Sequence, residues 1–275
     1  MARLSIGKAW EEASKFLGSE GRLVAPVALA LFAVPAALMG WANPTGDPGK
    51  MSGGWLLSLA ILLCAMVGQM TIAGLAIGWS GSVGSALGQA FRRLPGLFGA
   101  AMLVFLPLTI VIVLVIAVML GGAGLTDPSQ LTPEALARVP QVSLVALVAV
   151  CAFLFLAVRL FPLAAVAFME TANPVRLVGR AWQLTRGHFF RLLALLLLLL
   201  IATLVASMAV TAVVGSVMTL AAGDSEPFNL TALVVGLIEG LVGAAISAVS
   251  AAMVGRIYLQ LTAGPSTVPE VKRDE

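Results

Sequence analysis

Arg176 and Arg180 stand one helical turn apart, and Arg186 follows just before the chain's only histidine, His188, in the stretch PVRLVGRAWQLTRGHFF. Guanidinium groups offer planar pairs of N–H donors to phosphate, so the chemistry on offer is anion binding rather than bond making. Arg159 and Arg256, at one end of long apolar runs, extend the set of candidate lipid or anion contacts. A long side chain so placed either snorkels to the interface or holds a lipid phosphate. Two polar residues fall deeper in apolar sequence: Glu239, read as pointing into a helix bundle with Gly243 and Ser247, and Gln69. They form a candidate intramembrane polar site, because a polar group in hydrocarbon is costly and tends to be retained for a reason.

Little supports catalysis. His188 has no cysteine or carboxylate beside it, and the chain lacks a glycine-rich phosphate loop, a Gly-x-Ser-x-Gly elbow and a Cys-x-x-Cys pair. No catalytic residue, metal or cofactor is therefore expected, and Cys64 and Cys151 read as small packing residues within spans.

The elements that must position these residues are membrane spans. Of 275 residues, 60% are hydrophobic and 11% charged, more apolar surface than one soluble core of this size encloses. Crossing a hydrocarbon core takes roughly 20 apolar residues per helix. Six stretches qualify: Leu23 to Trp41, Trp55 to Trp79, Leu97 to Leu120, Val142 to Phe168, Phe189 to Leu220, and Leu230 to Leu261. They show no strict alternation, so an all-α integral membrane protein is expected rather than a barrel. Glu11, Glu12 and Glu20 ahead of the first stretch argue for a retained span rather than a cleaved leader. Basic residues alternate by side. Arg3, Lys8, Lys15, Arg22, Arg92, Arg93, Arg176, Arg180, Arg186, Arg191, Lys272 and Arg273 fall on one side, against Lys50 and Arg138 on the other. The positive-inside rule then puts both termini in the cytoplasm, and the net charge of +3 reflects topology rather than nucleic acid.

A short pattern recurs three times: Gly7-Lys8-Ala9-Trp10, Gly88-Gln89-Ala90-Phe91 and Gly179-Arg180-Ala181-Trp182. Each copy precedes an odd-numbered span and places polar residues opposite an apolar face that ends in Trp10, Phe91 or Trp182. Such a helix suits the headgroup layer, with the aromatic ring at the boundary. The expected architecture is thus a single membrane domain over residues 1–275, its six helices arranged as three hairpins, each preceded by a short cytoplasmic amphipathic interfacial helix. Internal repeats cover 5–79, 82–169 and 173–262, and a polar tail covers 265–275. Parallel repeats about an axis along the membrane normal follow from this order. Small residues Gly236, Gly240, Ala244, Ala248 and Ala252 make a ridge in the last span, expected to face Thr203, Ser207, Thr211 and Gly215 of the fifth. Pro26, Pro35, Pro107 and Pro162 are expected to bend or break their spans.

The run RLFPLAAVAFMETANPVRLVGRAWQLTRGHFFRL, Arg159 to Leu192, resembles bacterial membrane families that include the membrane domain attached to some glycerophosphoryl diester phosphodiesterases and the YciC-like inner-membrane proteins. The resemblance rests on Pro162, Glu170, the segment Ala181 to Gly187 and the pair Phe189-Phe190. It implies a multi-pass protein of the bacterial cytoplasmic (inner) membrane, and it does not imply phosphodiesterase activity, which belongs to a separate soluble barrel. The function expected is a non-enzymatic module that organises lipid headgroups or a partner. Its partners are membrane lipids, anionic phospholipid among them, or another membrane protein, and not nucleic acid. The alternative is a small transporter or channel with a path between the repeats, centred on Glu239.

Overall fold

The computed structural model describes residues 5–42, 54–122, 140–171, 173–222 and 230–262. The polar tail at 265–275 and the connections that carry Lys50 and Arg138 lie outside them. Every regular element among the described residues is helical. In chain order these are α1 (Ile6–Ala28), a π-helical turn (Leu29–Ala33), α2 (Val34–Ala42), α3 (Gly54–Ile77), α4 (Val83–Gly122), α5 (Pro140–Arg159), α6 (Leu163–Met169), α7 (Pro174–Thr185), α8 (Phe189–Ala222) and α9 (Leu230–Thr262). Among the described residues, six helical stretches are long and apolar enough to cross a bilayer, the first being α1, the π turn and α2 taken together. The chain is a multi-pass, all-α membrane protein.

Proline sets two of the irregularities. The π turn ends at Ala33, two residues before Pro35, whose ring would collide with the carbonyl four residues back, that of Leu31 within the turn, in a regular α-helix; the wider turn relieves that collision and the helix continues. Pro162 does break its span: α5 stops at Arg159 and α6 restarts at Leu163. Pro26, by contrast, sits inside α1 and Pro107 inside α4.

Only one of the three amphipathic stretches is a helix of its own. The first is the N-terminal part of α1 and runs into the first span, and the second is the start of the 40-residue α4. The third, α7, is set off by Gly187, whose φ of +88° lets the chain turn before α8. Their apolar faces are turned to protein rather than to lipid. Ala9, Ala90 and Ala181, the same position in the three copies, are all fully buried, while a Cβ added at Gly7, Gly88 or Gly179 would meet nothing within 4 Å. Trp10 and Phe91 are exposed, whereas Trp182 is half-buried.

The last span is the hub. α9 packs along the first span and on α3, with α8 on a further side. Its small-residue ridge permits the closest approach, but toward a different partner than the fifth span. A Cβ at Gly240 would lie 2.6 Å from the Ala33 carbonyl oxygen, and one at Gly236 would lie 3.0 Å from that of Ala37. Close backbone contact needs small residues on both helices, and Ala33, Ala37 and Gly40 supply them. Thr203 and Ser207 of α8 are exposed, and the Thr203 hydroxyl is spent on the Leu199 carbonyl of its own helix; the side chains of Thr211 and Gly215 lie outside the described set. A further glycine, Gly255, brings α9 equally close to α3, where an added Cβ would stand 2.6 Å from the Ala73 carbonyl oxygen.

Candidate functional site

The two ends of the described chain meet: the Ser5 backbone N–H donates to Gln260 Oε1 at 3.2 Å. The same end of the bundle holds the amphipathic part of α1, the α3–α4 turn with the start of α4, the α5–α6 break, α7, the start of α8 and the end of α9. Every Lys and Arg among the described residues lies in these segments. The arginines picked out by sequence are here, but they do not form one cluster.

Arg159 owes its position to the break at Pro162. Its guanidinium carbon lies 5.5 Å from the Phe155 ring centroid, 4.9 Å from that of Trp182 and 5.6 Å from that of Phe189, so α5, α7 and α8 each contribute one wall of an aromatic cage. Ring quadrupoles stabilise the cation there. Nε and Nη1 are buried with no hydrogen-bond partner among the described residues. The break also orphans the Arg159 carbonyl, because Pro162 has no N–H and the Leu163 N–H bonds to the Leu160 carbonyl instead. The fully buried Thr185 answers this: its Oγ1 sits 3.3 Å from the Arg159 carbonyl oxygen while staying within reach of its own helix's carbonyls at Ala181 and Trp182.

Arg180 is tied to Glu170 by an Nε–Oε1 contact of 3.1 Å, and the Tyr258 hydroxyl reaches the same oxygen at 3.5 Å. This links α7, the end of α6 and α9. In the sequence Glu170 stands out only as part of a family pattern; its spacing to Arg180 across a helix start is the signal that could have paired them. A second cross-link comes from Gln89, the polar residue of the middle motif copy, whose Nε2 donates to the Phe168 carbonyl at 2.9 Å. Phe168 itself is buried against Gly74, where its ring occupies the space a Cβ would take, and meets Trp79 edge-on at 5.5 Å between centroids. Arg176 on α7 and Arg186, the residue that caps its C-terminus, remain exposed.

Arg256 belongs to another place. Its guanidinium lies 5.7 Å from the Phe16 ring centroid, its Nε is buried without a hydrogen-bond partner, and it lines a cavity of about 970 Å³ between α1, the α3–α4 turn and α9. The intramembrane pair is also divided. Gln69 is half-buried on α3, but Glu239 is exposed on the outer surface of α9 together with Gly243, not directed into the bundle. The reason is rotational: Gly236 and Gly240 must face the first span, and Glu239, one residue from Gly240, is carried about 100° away. No group of three His, Cys, Asp or Glu suited to a metal occurs among the described residues.

A polytopic helical membrane protein with its cations collected at one end is the class that this fold defines. The chain belongs to a family described as a domain of unknown function, DUF7847, whose model matches residues 4–264. No curated protein and no solved structure matches it.

Proposed function

We propose that the protein is a non-enzymatic module of the bacterial cytoplasmic membrane. In this reading both termini lie in the cytoplasm, and the cation-bearing end engages anionic phospholipid headgroups, organising lipid or a partner membrane protein. The observation that carries the reading is the exposure of Arg176 on α7 and of Arg186 at its C-terminal cap while Leu177, Ala181 and Thr185 of the helix are buried in protein. The helix is thereby held with its cationic face outward at the level where the spans begin. A basic residue near an anionic leaflet contributes about 1 kcal/mol each. The equal environments of Ala9, Ala90 and Ala181 support a threefold repetition of this unit.

Charge reversal at Arg176 and Arg186 tests it. Phosphatidylglycerol co-purifying with the full-length protein in detergent should fall by roughly tenfold or more for the double variant, at unchanged thermal stability. Unchanged co-purification with a folded double variant overturns the reading. Cytosol-dependent fluorescent reporters fused to each end should both be bright; a dark reporter on full-length protein overturns the orientation. The alternative, a small transporter or channel with a path between the repeats, keeps the repeats as its motive, with Glu239 exposed on α9.

A further inference from the structure

The cavity beside Arg256 differs in character from the cationic face of α7. It is lined by two cations, Lys15 and Arg256, and two carboxylates, Glu12 and Glu20. Its charged lining is thus balanced, and a ligand carrying only negative charge would meet carboxylates as well as cations. Lys15 is already paired with Glu11 at 2.9 Å, and Glu12 lies 3.8 Å from Lys8. That leaves Arg256, with its Nε buried and unpartnered, and Glu20, which makes no ion pair among the described residues. One cation and one anion in a single cavity are complementary to a zwitterion.

Much of the remaining wall is apolar and reaches the start of the first span. Leu23, at the start of the first apolar stretch, lines the cavity and is 47% exposed, whereas Glu12 lies 11 residues earlier, about 16 Å along the helix at 1.5 Å per residue. The site therefore runs from charged to oily along α1. Its volume of about 970 Å³ is near the upper end of the roughly 300–1,000 Å³ typical of ligand pockets. A small water-soluble zwitterion would leave the apolar wall unfilled. The opposite wall is held in place beforehand: the Trp79 indole N–H donates to Ser85 Oγ at 3.0 Å, and Ser85 Oγ donates to the Ser82 carbonyl at 2.7 Å. A fixed aromatic face suits an ammonium group.

We propose that this cavity binds one zwitterionic amino-phospholipid of the same leaflet, with its phosphate on Arg256, its ammonium held by Glu20 and Trp79, and its acyl chains leaving past Leu23. The proposal depends on the protein facing lipid at this end, but not on the α7 arginines, which do not line the cavity.

The test uses the full-length protein with Arg176 and Arg186 charge-reversed, so that phosphatidylglycerol held on α7 does not enter the comparison; in detergent it is offered diacyl phosphatidylethanolamine, diacyl phosphatidylglycerol and acyl-free glycerophosphoethanolamine in turn, with bound ligand read by native mass spectrometry. Phosphatidylethanolamine should be retained about tenfold better than either alternative, and Arg256→Gln should lower its retention by about tenfold, the scale of one charge-assisted hydrogen bond. Glu20→Gln, at an exposed position, should bring the two diacyl lipids to parity. Equal retention of phosphatidylglycerol in this charge-reversed background overturns the zwitterion assignment, and equal binding of the acyl-free compound overturns the lipid assignment. Phosphatidylethanolamine retention unchanged in folded Glu20→Gln also overturns the proposal, whether or not Arg256→Gln folds. Because the α7 arginines are already reversed here, loss of phosphatidylglycerol on reversing them in the otherwise unaltered protein leaves this result untouched, so the two readings fail separately.

Discussion

The Arg159 guanidinium sits 4.9 Å from the centre of the Trp182 ring, which joins the residue where the fourth span breaks to the aromatic that ends the third amphipathic motif. Phe155 and Phe189 complete the enclosure, and the Phe155 ring meets those of Trp182 and Phe189 at 5.7 and 5.4 Å. The arginine thus acts as a post around which α5, α7 and α8 are assembled.

Removing the largest wall should loosen that assembly. Trp182→Ala is expected to cost about 2–4 kcal/mol, combining lost aromatic packing with a cation–π contact, whereas Trp182→Phe should cost less than about 1.5 kcal/mol. Thermal unfolding in detergent, followed by circular dichroism, distinguishes the two; equal melting temperatures for both variants would contradict the cage.

Thr185 offers a sharper comparison. Thr185→Val keeps the shape but removes the hydroxyl that answers the orphaned Arg159 carbonyl, so a loss of about 1–3 kcal/mol is expected. Thr185→Ser keeps the hydroxyl and should recover much of it. A valine variant as stable as the serine one would show that the carbonyl does not need this partner.

The seam between the first and last spans makes a positional prediction. Gly240→Val must push α9 away from the Ala33 carbonyl and should cost about 1–3 kcal/mol or more. Gly243→Ala, three residues on, meets open space and should be neutral or slightly stabilising through helix propensity. Both follow from melting curves, and a tolerated Gly240→Val would relocate the interface.

By itself the sequence determined the class of structure, because apolar length dictates helical spans wherever backbone groups must be satisfied without water. It also marked the recurring Gly-polar-Ala-aromatic motif and the polar-versus-apolar faces around it, since these depend only on local periodicity. What it could not show was which surfaces meet. The ridge through Gly236 and Gly240 was legible as a close-packing surface, yet any helix with small residues could have answered it. Only the tertiary structure decided for Ala33 and Ala37 over Thr203 and Ser207. That choice then set the rotation of α9, turning Glu239 outward and Arg256 into the cavity. Likewise Arg159, Phe155, Trp182 and Phe189 were visible as residue types, but their enclosure depends on three helices converging at the Pro162 break. Spans follow from transfer of single segments into lipid, a local property. Sites arise from relative rotation and tilt of packed helices, which is a property of the whole bundle.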